Sequence, residues 1–453
     1  MRGDWTEKDL RRRSLQNNIE KTDEKSVFEK INFERTTSLE DLTEAGTRIY
    51  CTGKSGSIRG PGKKGGVFYN PAMSLNRDIT LLAFLVFLEE KPAQTSFLDG
   101  MCATGVRGIR IIHTLREKPL DTLKMGQRVT VHFNDVDPLA TGLATLNVEK
   151  NVAEHSTGGD SDGGILEITW EITTRRVQSL LWEKKFDFVD IDPFGTAVSY
   201  IESALEGTTH GGIAAFTTTD VAVLAGTYPQ TCMRRYHARP LKNHFAHETG
   251  LRIFLGHIVL KGAERDIGIS PLLAYYHDHY FRVYLRVEKS RSKARKAVEN
   301  LGLGVETHLL ARAIRTGADF LDILYRAEGA NAEEEKRVFG PLYTGPLAAS
   351  PFIKKMLSKA EKHSSHLARP GQTKKLLTLI AEETDMPPFF YDTNVLASIL
   401  KIPPPPLQAI LSTLTKKGYS ATKTHFSPKG FKTDAPENVV EEICLRNFNH
   451  VPD

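Results

Sequence analysis

The sequence predicts an α/β protein: a mostly parallel sheet with an antiparallel edge strand, followed by a smaller α+β C-terminal domain with a winged-helix-like end. Three observations predict it. Between about residues 41 and 290, short apolar runs (SFLD, VTVHFND, FDFVDID, GGIAAFTTTD) alternate with longer helical patterns such as VRGIRIIHTLRE and TAVSYIESALEG, the rhythm of strands covered by helices on both faces. In HYFRVYLRVE, Phe281, Val283, Leu285 and Val287 point one way and Arg282, Tyr284, Arg286 and Glu288 the other, which describes a half-wet strand at an antiparallel edge. Beyond about residue 370, three helical stretches precede YSATKTHFSPKGFKT, two strands joined at Ser427-Pro428-Lys429-Gly430, the order of a winged helix.

Taken along the chain, residues 1–41 are rich in charge and amide side chains without an apolar period and read as a tail. The main domain follows over 42–289. Its last strand must stop near Glu288, because continued alternation would bury Lys289, Arg291 and Lys293. The C-terminal domain takes 290–453, with GPLYTGPL enforcing a turn and a winged-helix-like part over about 371–435. There KKLLTLIAEE, TNVLASILKI and LQAILSTLTKKG form the helices, the last ending at Gly418 as its C′ residue.

At 453 residues the chain exceeds one ordinary core, and its 40% hydrophobic and 25% charged composition is that of a globular protein. No apolar run approaches the ~20 residues a bilayer requires, and MRGDWTEKDLRRRS has no secretory apolar region. The expectation is an intracellular protein, cytoplasmic, or nuclear or mitochondrial in a eukaryote, with no membrane partner. Cys51, Cys102, Cys232 and Cys444 form no CxxC pair, so no disulfide framework and no metal site are expected; Cys232 with His237, His244 and His247 is irregularly spaced for zinc. A net charge of +5 does not establish nucleic-acid binding, but KSRSKARK (Lys289–Lys296), Arg11–Arg13, and Lys423 with Lys429 are local basic blocks.

In open α/β sheets ligands bind beyond the carboxyl ends of the strands. In SFLDGMCATGVRGIR, Asp99 ends a strand, Gly100 and Gly105 permit a tight turn, and Val106 opens a helix. Asp135 ends the next strand, where a carboxylate accepts ribose hydroxyls, so the pair predicts an adenosyl-type cofactor. A pyrophosphate cofactor would favour GxGxxG, which is absent. FVDIDPFG places Asp192-Pro193-Phe194-Gly195 at a central strand tip, an arrangement resembling that of methyltransferases acting on exocyclic amines of bases. Such an amine is a poor nucleophile because its lone pair is delocalised into the ring. Acceptors on its N–H groups, the Asp192 carboxylate and the Pro193 carbonyl, return electron density to nitrogen and align it, while Phe194 stacks on the base. Asp190, on the same face, is expected to support the glycine loop.

With FYNPAMSLNRD (Phe68–Asp78), LDGMCATGVRGIR, FNDVDP, DIDPFG, AYYHDHYFRVYL and THFSPKGFKTDAP in one order, the chain resembles the tRNA (guanine-26-N2)-dimethyltransferases from about Leu42 to about Glu442, most of all their compact archaeal-type members. The resemblance implies a Rossmann-like class I methyltransferase domain using S-adenosyl-L-methionine, a tRNA substrate, and a tRNA-binding C-terminal domain. It further implies that Arg77, Arg107 and Asp135 bind the cofactor together with the Asp99, Gly100 and Gly105 turn, that Asp192 is catalytic, and that Phe68 and Phe194 hold the guanine. Arg77 suits the role, since a guanidinium grips a carboxylate such as the cofactor's bidentately. The expected reaction adds one or two methyl groups to N2 of guanine 26. Alternatives are an amino-methyltransferase on another RNA or on DNA adenine, or a non-catalytic RNA-binding protein; no obligatory protein partner is evident. Two departures stand out. Arg175, Arg176 and Val177 replace an acidic residue followed by alanine, leaving the adenine contact unassigned, and cysteine pairs found ahead of the GPL element in some members are missing. His277 and His279, in the shared DHY element, are expected to be structural.

Overall fold

The computed structural model describes residues 39–52, 67, 69–90, 94–117, 127–154, 166–315 and 338–446. Phe68 and all but the last three residues of the expected tail lie outside them. Strand β1 (Leu39–Glu44) begins within that expected tail and pairs with β2 (Thr47–Thr52) in an antiparallel hairpin. Its one fully buried side chain is the carboxylate of Glu44, so no apolar period could reveal it.

Helix α1 (Ser74–Glu90) is buried from Ser74 to Leu88. With the turn before it, this helix is long and apolar enough to cross a membrane, contrary to the sequence expectation, which was misled by Asn76, Arg77 and Asp78 interrupting the apolar run. Its burial inside the protein marks it as a core helix. The βα alternation follows as β3 (Gln94–Asp99), α2 (Val106–Glu117), β4 (Gln127–Asp135), α3 (Pro138–Glu154), β5 (Leu166–Thr174), α4 (Val177–Glu183), β6 (Phe186–Ile191), α5 (Ile201–Gly207) and β7 (Thr208–Thr218). These five strands pair in parallel in the order β5-β4-β3-β6-β7. The register sets Phe97 beside Phe188 and Asp99 beside Asp190, so one pairing fixes both the core and the site. Phe84 of α1 meets both phenylalanines edge-on, with centroids 5.1 and 5.6 Å away. Gly108 lets α2 lie against the sheet: a Cβ there would stand 2.4 Å from the Phe133 ring.

After β7 come α6 (Val221–Leu224), α7 (Pro229–Tyr236), α8 (Ala246–Ala263), β8 (Ile267–His277) and β9 (Tyr280–Lys289). Strand β9 runs antiparallel to β7, and β8 adds beyond it antiparallel to β9. This corrects the sequence reading in which HYFRVYLRVE formed the half-wet edge. β8 is the edge, and Arg282 and Tyr284, expected in water, are fully buried. The polar side of β9 is tolerated inside because Arg282 meets Asp190 and Tyr284 meets Thr80.

The C-terminal part begins with α9 (Arg291–Val298) and a three-stranded antiparallel sheet of β10 (Leu301–Glu306), β11 (Ala311–Arg315) and β12 (Val338–Tyr343). Then come α10 (Ser350–Lys362), α11 (Pro370–Glu383), β13 (Tyr391–Asp392), α12 (Thr393–Leu400), α13 (Leu407–Lys416), β14 (Ala421–Lys423), β15 (Gly430–Thr433) and α14 (Glu437–Arg446). β15 lies between β13 and β14. Asp392 caps α12 through the Asn394 N–H at 2.9 Å, and Gly418 follows α13 at φ +90°. Polar bonds fasten this part to the main domain. Asp78 of α1 accepts the N–H groups of Ala368 and Arg369 at 2.9 and 2.8 Å, and Arg110 of α2 donates to the His366 carbonyl at 2.8 Å. Leu376, Leu377 and Ile380 of α11 join the same buried cluster as α1.

Candidate active site

The tips of β3, β4 and β6 converge because the loop after β3 is stitched to both neighbours. Gly100 N–H donates to the Asp190 carbonyl at 3.0 Å, and Cys102 N–H to the Asn134 carbonyl at 2.9 Å. Asp135 accepts Ala103 N–H on one oxygen and Asp137 N–H on the other, each at 3.0 Å, which orients its half-buried carboxylate at the loop. Gly105 turns the chain into α2 at φ +77° and donates to the Cys102 carbonyl at 2.7 Å. Asp99 lies beneath, and its Oδ2 has no hydrogen-bond partner among the described residues. Burial pushes the Asp99 carboxyl up to about 7, opposed by Arg107 and reinforced by the charges of Asp190 and Asp192.

Two arginines and two aspartates make a charged knot under the tip of β6. Arg107 pairs with Asp192, lies 3.5 Å from Asp190, and donates to Asn76 Oδ1 and Thr80 Oγ1 at 2.8 and 2.7 Å. Arg282, reaching across from β9, pairs with Asp190 and donates to Thr217 and Thr80 at 2.9 and 3.1 Å. Dispersed donors and opposite charges thus offset much of what burial alone would penalise heavily, while Arg282 Nε has no hydrogen-bond partner among the described residues. Asp192 keeps 21% of its side chain exposed, and its Oδ1 makes no hydrogen bond among the described residues.

The turn after Asp192 buries Pro193 and leaves Phe194 70% exposed. Gly195 sits at φ +80° and is held on both sides by Thr219, the residue after β7: its N–H donates to Thr219 Oγ1 at 3.0 Å, and its carbonyl accepts Thr219 N–H at 2.9 Å. Six predicted positions, Asp99, Gly100, Gly105, Arg107, Asp135 and Asp192, therefore meet at one rim, joined by Pro193 and Phe194. Arg77 stands differently. Its Nε donates to Glu44 Oε1 at 2.7 Å and its Nη2 reaches the other oxygen, so the carboxylate it grips bidentately is Glu44 of the β1 hairpin. Glu44 also accepts Tyr69 OH at 2.6 Å and Arg110 Nη1 at 2.9 Å. Burial opposes its charge, yet Arg77 and Arg110 hold its carboxyl down to about 2. Among the described residues no three His, Cys, Asp or Glu side chains are grouped as metal ligands.

The profile of the N2,N2-dimethylguanosine tRNA methyltransferase family matches residues 52–445. The chain belongs to that family. It is 37% identical over 381 residues to the tRNA (guanine(26)-N(2))-dimethyltransferase of Thermococcus kodakarensis, spanning 83% of this chain and 92% of that one. To the enzyme of the same name from Saccharolobus solfataricus it is 32% identical over 417 residues, 90% and 99% of the two chains. The solved complex of Trm1 from Pyrococcus horikoshii with S-adenosyl-L-methionine superposes at a TM-score of 0.71 with 34% identity, covering 89% of this chain and 99% of that one.

Sequence reasoning missed some residues that this N2,N2-dimethylguanosine tRNA methyltransferase family member gathers at the rim. The alternation in β9 places Arg282 in water, and only the carboxylate-rich tip of β6 signals the need for a buried cation. Asn76 and Thr80 follow the helical spacing of α1 toward Arg107 and Arg282, a polar stripe inside an apolar run. Val136, directly after Asp135, is 65% exposed, an apolar face at a strand tip with a periodicity no window detects. The Arg175–Val177 segment lies beside the site, with Arg175 N–H on the Asp135 carbonyl at 3.0 Å, while the Arg175 side chain turns to Glu183.

Proposed function

We propose that this chain transfers one or two methyl groups from S-adenosyl-L-methionine to the exocyclic N2 of guanine 26 in tRNA. The observation that carries the reading is the tip of β6, where a partly exposed Asp192 oxygen without a described partner stands two residues from an exposed Phe194. The rim fits the cofactor: Asp99 supplies a buried, unpartnered oxygen for a cationic amine, Asp135 an oriented carboxylate for ribose hydroxyls, and Val136 an apolar face for adenine. Gly100 and Gly105 shape the loop between them. Arg107 is proposed for the carboxylate end, and Arg77 adds positive potential there while Glu44 shares its guanidinium. When bound, the cofactor supplies an electrophilic methyl carbon.

This chain's residues then act on the base. Asp192 Oδ1 and the Pro193 carbonyl accept the two N2–H bonds, which orients the nitrogen and raises its electron density. As the C–N bond forms, the methyl carbon's bond to sulfur would break and leave its electron pair on a neutral thioether, and the excess proton of N2 passes to Asp192 Oδ1. Arg107, fixed by Asn76 and Thr80, holds the other carboxylate oxygen so that Oδ1 faces the substrate. Phe194 stacks on a base that must leave its helix to reach the turn. The second aromatic proposed for the guanine, Phe68, lies outside the described residues. The division into a methyltransferase domain (42–289) and a tRNA-binding domain (290–453), with Lys423 and Lys429 exposed on β14 and its turn, is part of the same proposal.

The test is mass spectrometry of guanosine from transcript tRNA incubated with the protein and S-adenosyl-L-methionine. N2-methylated guanosine at position 26 is expected, with Asp192→Ala abolishing it and leaving tRNA affinity near wild type. Transfer of labelled methyl to DNA adenine but not to tRNA, or wild-type turnover by Asp192→Ala, would overturn it.

A further inference from the structure

From Val221 to His247 the chain carries no aspartate or glutamate, against Arg234, Arg235, Arg239 and Lys242 and three histidines. This stretch connects β7 to α8 at the rim of the site, and hydrogen bonds tie its start and its helix α7 to the catalytic turn. Gly195 is held by Thr219, Thr196 Oγ1 lies 3.0 Å from Tyr236 OH, and Asp220 accepts Tyr236 OH at 2.9 Å and Arg235 Nη1 at 2.8 and 2.7 Å. The segment is thereby built rigidly beside Phe194. Cys232 and Tyr236 anchor α7 from below, so its other face is offered outward.

That outward side is chemically specific. Tyr228, which caps α7, is 57% exposed and Met233 is 50% exposed; with Phe194 they are three of the seven large apolar side chains exposed in the described protein. Arg234 and Lys242 are exposed too, and no ion pair engages either among the described residues. Gly226, at φ +88°, packs its turn against the Lys242 backbone, where a Cβ would stand 3.0 Å from the amide nitrogen, so the two halves of the segment lie together. Aromatic and thioether faces interleaved with unpaired cations, with no carboxylate in the stretch itself and the adjoining Asp220 neutralised by Arg235, make a platform for unstacked nucleotides.

We propose that residues 226–242 form a second tRNA-contacting surface, on which Tyr228 and Met233 support the bases flanking the extruded guanine while Arg234 and Lys242 hold their phosphates. The proposal rests on the tRNA-methylating function above and assigns it a substrate surface within the catalytic domain. A base leaves its stack more readily if its former neighbours find new faces, and this platform is the apolar surface bonded to the turn that receives the base.

The experiment uses the full chain with transcript tRNA. Tyr228→Ala and Met233→Ala should each raise KM for tRNA at least fivefold, with the dissociation constant for S-adenosyl-L-methionine at its wild-type value and Tyr228→Phe restoring the wild-type KM. The Arg234→Ala/Lys242→Ala double variant should make the slope of log affinity against log salt shallower by roughly 1.4, the value for two phosphates on a single strand. KM within twofold of wild type in all variants, with wild-type methylation intact, overturns the platform alone; absence of methylation by the wild type overturns the function instead. A change in molar mass by light scattering on Tyr228→Ala or Met233→Ala, without a change in tRNA binding, would show the face to be a contact between protein copies and likewise overturns the proposal.

Discussion

Arg282 and Asp190 close an ion pair in which neither side chain retains any exposure. Asp190 in turn lies 3.5 Å from Arg107, which holds Asp192, so a residue on the antiparallel strand β9 bears on the carboxylate at the tip of β6. Removing one member leaves a buried charge uncompensated, which costs about 3–5 kcal/mol. Arg282→Met should therefore lower the unfolding free energy by that order in urea titration. Because Arg107 is then drawn wholly to Asp190, methyl transfer should also fall at least tenfold at saturating tRNA. An Asp190→Asn/Arg282→Met double variant should regain part of the stability but not the rate. Stability and rate recovering together would show that Arg282 acts only on the fold.

Asp99 makes cofactor affinity depend on pH. Burial raises its carboxyl to about 7 in the cofactor-free protein, above the unfolded value of about 3.9. A cationic ligand beside it favours the ionised form, so binding releases a proton when the pH lies below that value. The dissociation constant for S-adenosyl-L-methionine should fall as pH rises from 5.5 to 7, and Asp99→Asn should flatten the profile; calorimetry in buffers of different ionisation enthalpy reads both. The same raised value lowers fold stability as pH climbs from about 4 to 7, a loss the Asp99→Asn variant should not show.

The strand-tip logic made Asp99, Asp135 and Asp192 legible, because apolar runs ending in carboxylates advertise themselves in one dimension. So did α2, whose pattern VRGIRIIHTLRE spans its observed length. What stayed hidden depends on pairings between distant segments. β1 buries a glutamate whose partners come from α1 and α2, and β9 looks amphipathic only until Asp190 is seen opposite Arg282. Arg77 is expected to grip the carboxylate of the cofactor, and in the fold its guanidinium also grips a carboxylate 33 residues earlier in the same chain. Such long-range charge matches leave no periodicity for a sequence window to detect.

Gly195 isolates the conformational requirement of the catalytic turn. At φ +80° a side chain is strained, yet a Cβ there would meet nothing within 4 Å, so any loss on substitution comes from the backbone alone. Gly195→Ala should cost about 1–2 kcal/mol by thermal or urea unfolding. It should also raise KM for tRNA, because relaxing the turn moves Phe194. Gly195→Asn, which tolerates left-handed conformations better, should be milder in both measurements. Equal damage from the two variants would point to contacts rather than to φ.

A buried charge cluster joins the C-terminal part to the main domain and sets acid stability. Lys432 of β15 donates to Glu248 of α8 at 2.7 Å, while Glu383 of α11 accepts Thr424 at 2.6 Å and faces His425 Nδ1. His425 Nε2 lies 3.2 Å from the Tyr276 backbone nitrogen of edge strand β8, which ties that strand to the cluster. Burial alone would raise the Glu383 carboxyl, but His425 and Lys432 hold it down to about 2. A folded value below the unfolded one of about 4.3 stabilises above the latter and is lost as pH falls toward 2, a contribution of order 3 kcal/mol at neutral pH. Glu383→Gln should therefore destabilise the protein at pH 7 and leave a shallower acid limb between pH 4.5 and 2 in urea titrations. An acid limb as steep as wild type would place the acid sensitivity elsewhere, with Glu44, whose carboxyl is held equally low, as the group to change next.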